Sequence, residues 1–301
     1  MRNYKFISLI FIVGFIFYGC QKDDVQQNVC FEIAGDDCSH LCENERMAFL
    51  SGNTETGTCV MSIFLSDCPH QFILDGQQVD EVGWLEHWYN NPLLDSVVAS
   101  SFLVHESMHS ISANVSQPAE ESFILLDCEN SWIVSNTETF PSNEIAIEIP
   151  DENKTLRFNT YIESSHNLQF KGIYGLLEEF AAYYQGSKTI LETGRSLNLI
   201  ENPSKAKIYS NNSVIPYFEF KYWILTYLIH AESTHPNIFD SILNNENFAE
   251  SFNSLDENYL NVVNQFINLH DPASDLSEIS FRNVLEILES QDYLSMMDRL
   301  K

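Results

Sequence analysis

The chain has 301 residues, of which 44% are hydrophobic and 13% aromatic, and its formal net charge is −28 at pH 7. Because so many apolar side chains can form a substantial core, we expect a monomer with one main domain. The strong negative charge repels nucleic-acid phosphates and anionic lipid headgroups, so we do not expect the protein to bind nucleic acid.

Residues 1–19 have the pattern of a secretory signal. Arg2 and Lys5 are followed by an apolar run at 6–18, which is too short to span a bilayer comfortably. Gly19 before Cys20 resembles the lipobox of bacterial lipoproteins, which implies cleavage before Cys20 and acylation of that cysteine. An uncleaved N-terminal anchor is the alternative, and both interpretations put the rest of the chain outside the cytoplasm.

Residues 20–29 are polar and are predicted to form a tether. Residues 20–24 read Cys-Gln-Lys-Asp-Asp, which resembles the export signal of surface-exposed lipoproteins in some Gram-negative bacteria. The resemblance implies an outer-membrane lipoprotein that faces the cell surface, with the periplasmic face as the alternative. Attachment to the membrane is then expected through the lipid anchor and not through charge.

Residues 30–75 are predicted to be a Cys-rich, loop-rich segment, and residues 76–301 the main domain. Outside the cytoplasm, six cysteines besides Cys20 predict up to three disulfides, whose pairing the sequence leaves open. A structural zinc held by Cys38 and Cys42 is the alternative for part of this segment. The six are Cys30, Cys38, Cys42, Cys59, Cys68 and Cys128.

Asn91-Pro92 predicts the start of a helix, because Asn is favoured at the N-cap and Pro at the first helical position. The expected helix is largely apolar and carries His105-Glu106-Ser107-Met108-His109, which reads His-Glu-x-x-His. Residues four apart lie on one face of a helix, so both imidazoles can bind one Zn²⁺. Glu106 is then in position to act as a general base on a water at the metal.

From 116 to 170, β-forming residues in a period of two predict a small antiparallel sheet inserted between helices. Helices are expected again from Ile173 to Gln185, ended by Gly186, and from Tyr217 to Ala231, followed by 236–244, 247–268 and 276–299. The predicted strands are Phe123 to Leu126, Trp132 to Val134, Ile145 to Ile149 and Leu156 to Tyr161.

A His-Glu-x-x-His helix needs a third metal ligand. Ser112 and Val115 occupy the positions where metzincins carry Gly and His, so that arrangement is excluded. Residues 176–183 read Leu-Leu-Glu-Glu-Phe-Ala-Ala-Tyr, which resembles the third-ligand helix of the gluzincin metallopeptidases. On this match Glu178 takes the ligand place. A shift of one residue makes Glu179 the ligand instead, and His166 is a further candidate.

The gluzincin resemblance implies an α+β, zincin-like fold, with a mostly α-helical C-terminal half, a small antiparallel β insert and a disulfide-rich N-terminal segment. It implies a zinc metallopeptidase that acts on peptide or protein substrates. His105, His109 and Glu178 would hold Zn²⁺ and Glu106 would activate the attacking water. The family also uses a Tyr or His to stabilise the oxyanion, and Tyr217, Tyr222, His230 and His235 are all candidates.

A different class of function also fits the sequence. The chain could be a non-catalytic surface lipoprotein that binds a glycan, a peptide or a host protein and uses the helices as a scaffold. Its aromatic content suits a binding surface, although it equally suits an ordinary core. The two hypotheses differ in whether His105, Glu106 and His109 are needed for activity.

Overall fold

A computed structural model of the protein describes residues 45–67, 72–74, 77–79, 95–116, 120–163, 167–274 and 279–301. The predictions for the signal segment, the tether, Cys20 and His166 lie outside these residues, as do those for Cys30, Cys38, Cys42 and Cys68. Within the described part the molecule is mostly α-helical with two small antiparallel ribbons. In that part, no helix combines the length and apolar character needed to cross a bilayer.

The helices form three sequence groups, separated by the two ribbons. Before the first ribbon come α1 (Glu45–Asn53) and α2 (Glu55–Asp67), and between the ribbons lies α3 (Ser96–Val115). The C-terminal group comprises α4 (Ile173–Ser196), α5 (Pro203–Thr234), α6 (Pro236–Leu243), α7 (Glu246–Ile267), α8 (Ile279–Leu288) and α9 (Gln291–Arg299).

Each ribbon is a two-stranded antiparallel pair. Strands β1 (Phe72–Leu74) and β2 (Gln77–Val79) form the first. Strands β3 (Glu121–Leu125) and β4 (Ser131–Ser135) form the second, with Phe123 opposite Ile133. The predicted strands at Phe123 to Leu126 and Trp132 to Val134 are therefore confirmed.

The other two predicted strands are wrong. Ile145 and the residues up to Glu148 belong to a 3₁₀ helix, Ser142–Glu148, which Ile149 follows as its C-cap. Leu156 to Tyr161 leads into a π-helical turn, Asn159–Glu163. Proline supplies the reason for the first: Pro141 precedes the 3₁₀ helix, and proline fixes φ and offers no N–H to a strand ladder.

Helix α3 begins later than the sequence predicts. The N-cap is Asp95, whose Oδ1 accepts a hydrogen bond from the Val98 N–H at 3.0 Å. Asp and Asn are about equally good N-caps, and Asn91-Pro92 itself lies outside the described residues. The tertiary structure favours Asp95, because Lys205 Nζ on α5 lies 2.6 Å from its Oδ2.

Helix α4 does not end at Gly186, as predicted, but continues through it to Ser196. A Cβ on Gly186 would lie 2.8 Å from Ser101 Oγ and 3.2 Å from the Ser101 carbonyl oxygen of α3. This glycine therefore permits close approach of two helices, and no change of backbone direction is needed there.

The core forms two adjoining clusters. The larger gathers the aromatic side chains of α4, α5 and α7, including Phe180, Trp223 and Tyr259. The smaller packs α1 and α2 against α3, with Phe64 and Met108 among its members. The Cys59–Cys128 disulfide joins α2 to the turn after β3, which confirms one of the predicted disulfides and shows its pairing, which the sequence left open. Helices α3 and α4 thus lie between the two clusters.

We expect Gly186→Ala to lower the free energy of unfolding by about 1–2 kcal/mol, because the added methyl group must push α3 away from α4. The matched control is Gly194→Ala on the same helix, where the nearest atom to the new Cβ is Ile200 Cβ at 3.5 Å. That control should gain about 0.5–1 kcal/mol from helix propensity. Urea denaturation measures the free energy of unfolding of each variant. An equal gain in stability for Gly186→Ala and Gly194→Ala would contradict the close approach of α3 and α4 at Gly186.

Candidate metal centre

The two histidines of the motif and one glutamate of α4 converge on a single point. His105 Nε2 and His109 Nε2 are 3.1 Å apart, as expected for residues four apart on one helix face. Glu179 Oε2 lies 3.5 Å from His105 Nε2 and 3.4 Å from His109 Nε2. The three side chains are 7%, 16% and 2% exposed, so the group is buried.

These separations fit a tetrahedral Zn²⁺. For metal–ligand bonds of about 2.0–2.1 Å, neighbouring ligand atoms of a tetrahedron lie roughly 3.3 Å apart. The three measured edges are 3.1, 3.5 and 3.4 Å. Two imidazoles and one carboxylate also match the donor set of catalytic zinc sites, which keep a fourth position open. The residues therefore fit the metal in both chemistry and spacing.

The ring of His105 is held by two neighbours on α4. It donates a hydrogen bond to the backbone carbonyl of Ala182, and the Tyr183 ring meets it edge-on at a centroid distance of 4.4 Å. Because Nε2 faces His109 and Glu179, the nitrogen that donates to Ala182 is Nδ1. Because this hydrogen bond holds the proton on Nδ1, the lone pair of Nε2 is available to bind a metal.

The structure brings Glu179, not Glu178, to the histidines. Glu178 Oε1 instead lies 2.6 Å from Lys171 Nζ and accepts a hydrogen bond from Ser112 Oγ at 3.1 Å. Adjacent helical residues point about 100° apart, so the two carboxylates reach different parts of α3: Glu179 meets the two imidazoles and Glu178 meets Ser112. A sequence signal for Glu179 exists: Ala182 and Gly186, three and seven residues later, mark the face that α3 approaches closely.

The group forms a strongly coupled set of charges. Burial lowers the pKa of His105, and the neighbouring His109 lowers it further. Burial opposes the charged form of His109 too, yet the carboxylates of Glu179, Glu106 and Glu178 outweigh it and raise the pKa of His109. Burial, helped by Glu179, raises the pKa of Glu106 to about 7. The negative surroundings thus favour one positive charge at this point.

A network of polar groups, which the sequence did not predict, borders the site. Arg157 Nε donates to the Tyr183 hydroxyl at 3.1 Å, and the hydroxyls of Tyr183 and Tyr161 lie 3.0 Å apart. Arg157 Nη1 lies 2.9 Å from Glu219 Oε2, which is fully buried. Burial and the charges of Glu179 and Glu106 raise the pKa of Tyr161, so its hydroxyl stays protonated.

The predicted oxyanion residues have other partners. The Tyr217 hydroxyl donates to Asp256 at 2.7 Å, and Tyr222 stacks on Tyr293. His230 and His235 lie with Glu144 at the end of α5. Glu219 contacts Arg157 beside the site, and His230 follows Glu219 by eleven residues on the same helix. That spacing is about 16 Å along the helix axis, so His230 lies away from the site. The Tyr183 ring packs on His105 instead, and the Tyr161 hydroxyl lies 3.0 Å from the Tyr183 hydroxyl.

The space beside the site is small. A cavity of about 20 Å³ adjoins His105 and is lined by residues of α3 and α4 together with Arg157 and Asn212. That volume is close to the room needed by one water molecule. His109 is the most exposed of the three metal-facing side chains, so access from solvent is greatest on its side.

No known protein family, curated protein or solved structure matches the chain.

We expect Glu179→Gln to weaken Zn²⁺ binding at this site by at least about 100-fold, because the variant loses the anionic ligand. The matched control is Glu178→Gln, an identical change one residue away that leaves the three ligand atoms in place. Competition titration with a chromogenic chelator measures both affinities. The opposite ranking would make Glu178 the ligand.

Proposed function

We propose that the chain is a zinc-dependent metallopeptidase in which His105, His109 and Glu179 hold Zn²⁺ and Glu106 acts as the general base. The observation that carries the proposal is the triangle of ligand atoms with edges of 3.1, 3.4 and 3.5 Å inside the protein. A glutamate directly after the first histidine is the second component that peptide hydrolysis requires.

Zinc, when bound, lowers the pKa of a water at its open position and polarises the carbonyl that is attacked. Glu106 accepts the proton of the attacking water and passes it to the leaving amine. A general base works best when its pKa lies near the operating pH, and burial raises the pKa of Glu106 to about 7. Both proton transfers are thus assigned to one carboxylate of α3.

Tyr161 is the proposed donor to the oxyanion of the tetrahedral intermediate. Arg157 donates to Tyr183, Tyr183 can donate to Tyr161, and Tyr161 can in turn donate toward the substrate. The orientation of this chain is fixed at its far end, because Arg157 is held by the buried carboxylate of Glu219. A donor aligned before the reaction stabilises the developing charge without reorganisation.

The proposal includes a gluzincin-type, zincin-like arrangement. It is supported by a His-Glu-x-x-His helix packed directly on a second helix that supplies a glutamate, with a small antiparallel ribbon between them in sequence. It also needs a peptide or protein substrate, since hydrolysis of an amide is the reaction that these residue types perform together.

The wild-type full chain loaded with Zn²⁺ should hydrolyse members of a quenched fluorescent peptide library. Glu106→Gln should lower the rate by at least about 1,000-fold while one Zn²⁺ stays bound at the motif, because the amide cannot accept the water's proton. Tyr161→Phe should lower kcat by about 100-fold with the metal retained, because one oxyanion donor is lost.

A second candidate function is a non-catalytic surface lipoprotein in which the metal is structural. The observation that favours it is the tight packing: Glu179 is 2% exposed and the cavity beside His105 holds about 20 Å³. Hydrolysis that is equal in the wild type and in Glu106→Gln, or absent from a zinc-loaded wild type, would favour this candidate over the peptidase.

The proposed location is the outer membrane, facing the cell surface, with attachment through a lipid on Cys20. The sequence pattern at 1–24 supports it. In a Gram-negative host, the wild-type chain should incorporate labelled palmitate and Cys20→Ala should not. Digestion of intact cells with trypsin should remove the protein, and its protection until the outer membrane is opened would indicate the periplasmic face.

A further inference from the structure

We propose a second metal site, in which Glu144, His230 and His235 bind a zinc-class divalent cation. His235 Nε2 lies 2.7 Å from Glu144 Oε1, and His230 Nε2 lies 3.3 Å from the same oxygen. One ligand atom from each of the three residues lies within 4.8 Å of the others. This group is at the end of α5, and it is separate from the His105 group and independent of the proposed peptidase activity.

The second observation that points to a metal is how His230 is oriented. Its Nδ1 lies 3.1 Å from Glu148 Oε1, while its Nε2 faces Glu144. Metal-binding histidines characteristically donate one ring N–H to a carboxylate, which leaves the other nitrogen as the metal ligand. Glu148 occupies that supporting place, four residues along the 3₁₀ helix from Glu144.

The site is also held rigidly. The Phe140 ring stacks on His235 at a centroid distance of 4.5 Å and meets His230 edge-on at 5.5 Å. The Tyr227 hydroxyl accepts from the Phe140 N–H at 2.9 Å and donates to its carbonyl at 2.7 Å. The segment before the 3₁₀ helix is thus fixed to α5, and little side-chain ordering remains to be done when a cation binds.

The donor set selects the class of ion. Two imidazoles and a carboxylate suit Zn²⁺ and its neighbours in the first transition row, whereas Ca²⁺ and Mg²⁺ prefer sites built entirely from oxygen. The side chains of His230, His235 and Glu144 are 6%, 33% and 41% exposed. One side of the group therefore faces solvent, where water can complete the coordination.

The consequence for the fold is a cross-link. Helix α5 ends and α6 begins at the His235 corner, and the 3₁₀ helix Ser142–Glu148 comes from a part of the chain about 90 residues earlier. A cation here would join these two parts at the surface.

The experiment measures the zinc that the purified full chain retains after equilibrium dialysis against micromolar Zn²⁺, by atomic emission. His235→Ala and Glu144→Ala should each lose one equivalent relative to the wild type. The matched control is Glu152→Ala, which removes an exposed carboxylate from a neighbouring 3₁₀ turn and should lose none. Glu148→Gln should keep the equivalent but bind it about 10–100-fold more weakly, because a supporting partner is lost.

His109→Ala distinguishes the two sites, since its loss of zinc should add to the loss in His235→Ala. Retention of wild-type zinc by His235→Ala and Glu144→Ala, with native circular dichroism, would overturn the second site and leave the peptidase proposal intact. Loss of zinc in His235→Ala but not in His109→Ala would support the second site and overturn the peptidase proposal. Replacement by Co²⁺ in His109→Ala gives an independent measure, because a site with nitrogen ligands produces visible d–d bands and adventitious surface binding does not.

Discussion

The close approach of α3 and α4 is the constraint on which the rest of this structure depends. Gly186 and Ala182 offer no bulk on the face that meets α3, and so the His105 side of α3 lies directly against α4. Glu179 is on that same face, one helical turn before Ala182. A larger side chain at either position would separate the helices and take the carboxylate away from the two imidazoles.

Buried charge is the cost of this arrangement, and the fold offsets it by pairing. Glu178 has Lys171 within 2.6 Å and Glu219 has Arg157 within 2.9 Å, so two buried acids each have a cation of their own. The carboxylate of Glu179 faces His105 and His109 instead. Burial of an anion beside neutral imidazoles is unfavourable unless a positive charge joins them, and that charge is either a proton or a metal ion.

Pairing of carboxylates with a positive charge also matters at the surface of the protein. With a net charge of −28, acidic side chains far outnumber basic ones, and a metal cation close to them is favoured electrostatically. The 3₁₀ helix Ser142–Glu148 presents two glutamates, four residues apart, to the end of α5. In a strand, two residues four apart would share a face but lie about 13 Å from each other, too far for both to contact His230.

The sequence by itself determined the elements whose physical cause is local. The spacing of His105 and His109 makes them neighbours on any helix, the alternation at 123–134 specifies a ribbon, and the apolar pattern after residue 172 specifies helices. It also narrowed the third ligand to Glu178, Glu179 and His166. Pro141 argues against the strand predicted at Ile145 to Ile149, but the alternation of apolar and polar residues there favours a strand more strongly.

Tertiary structure decided what depends on contacts between distant residues. Packing partners far away in the chain decide which glutamate meets the two imidazoles, why α4 continues through Gly186, and why Asp95 caps α3. Tyr161 and Arg157 come to the site from a segment that the sequence predicts as a strand and that forms turns instead, and the pairing of Cys59 with Cys128 joins residues 69 apart. Local propensity specifies which face a side chain takes on its own element, and only the packing of elements specifies what that face meets.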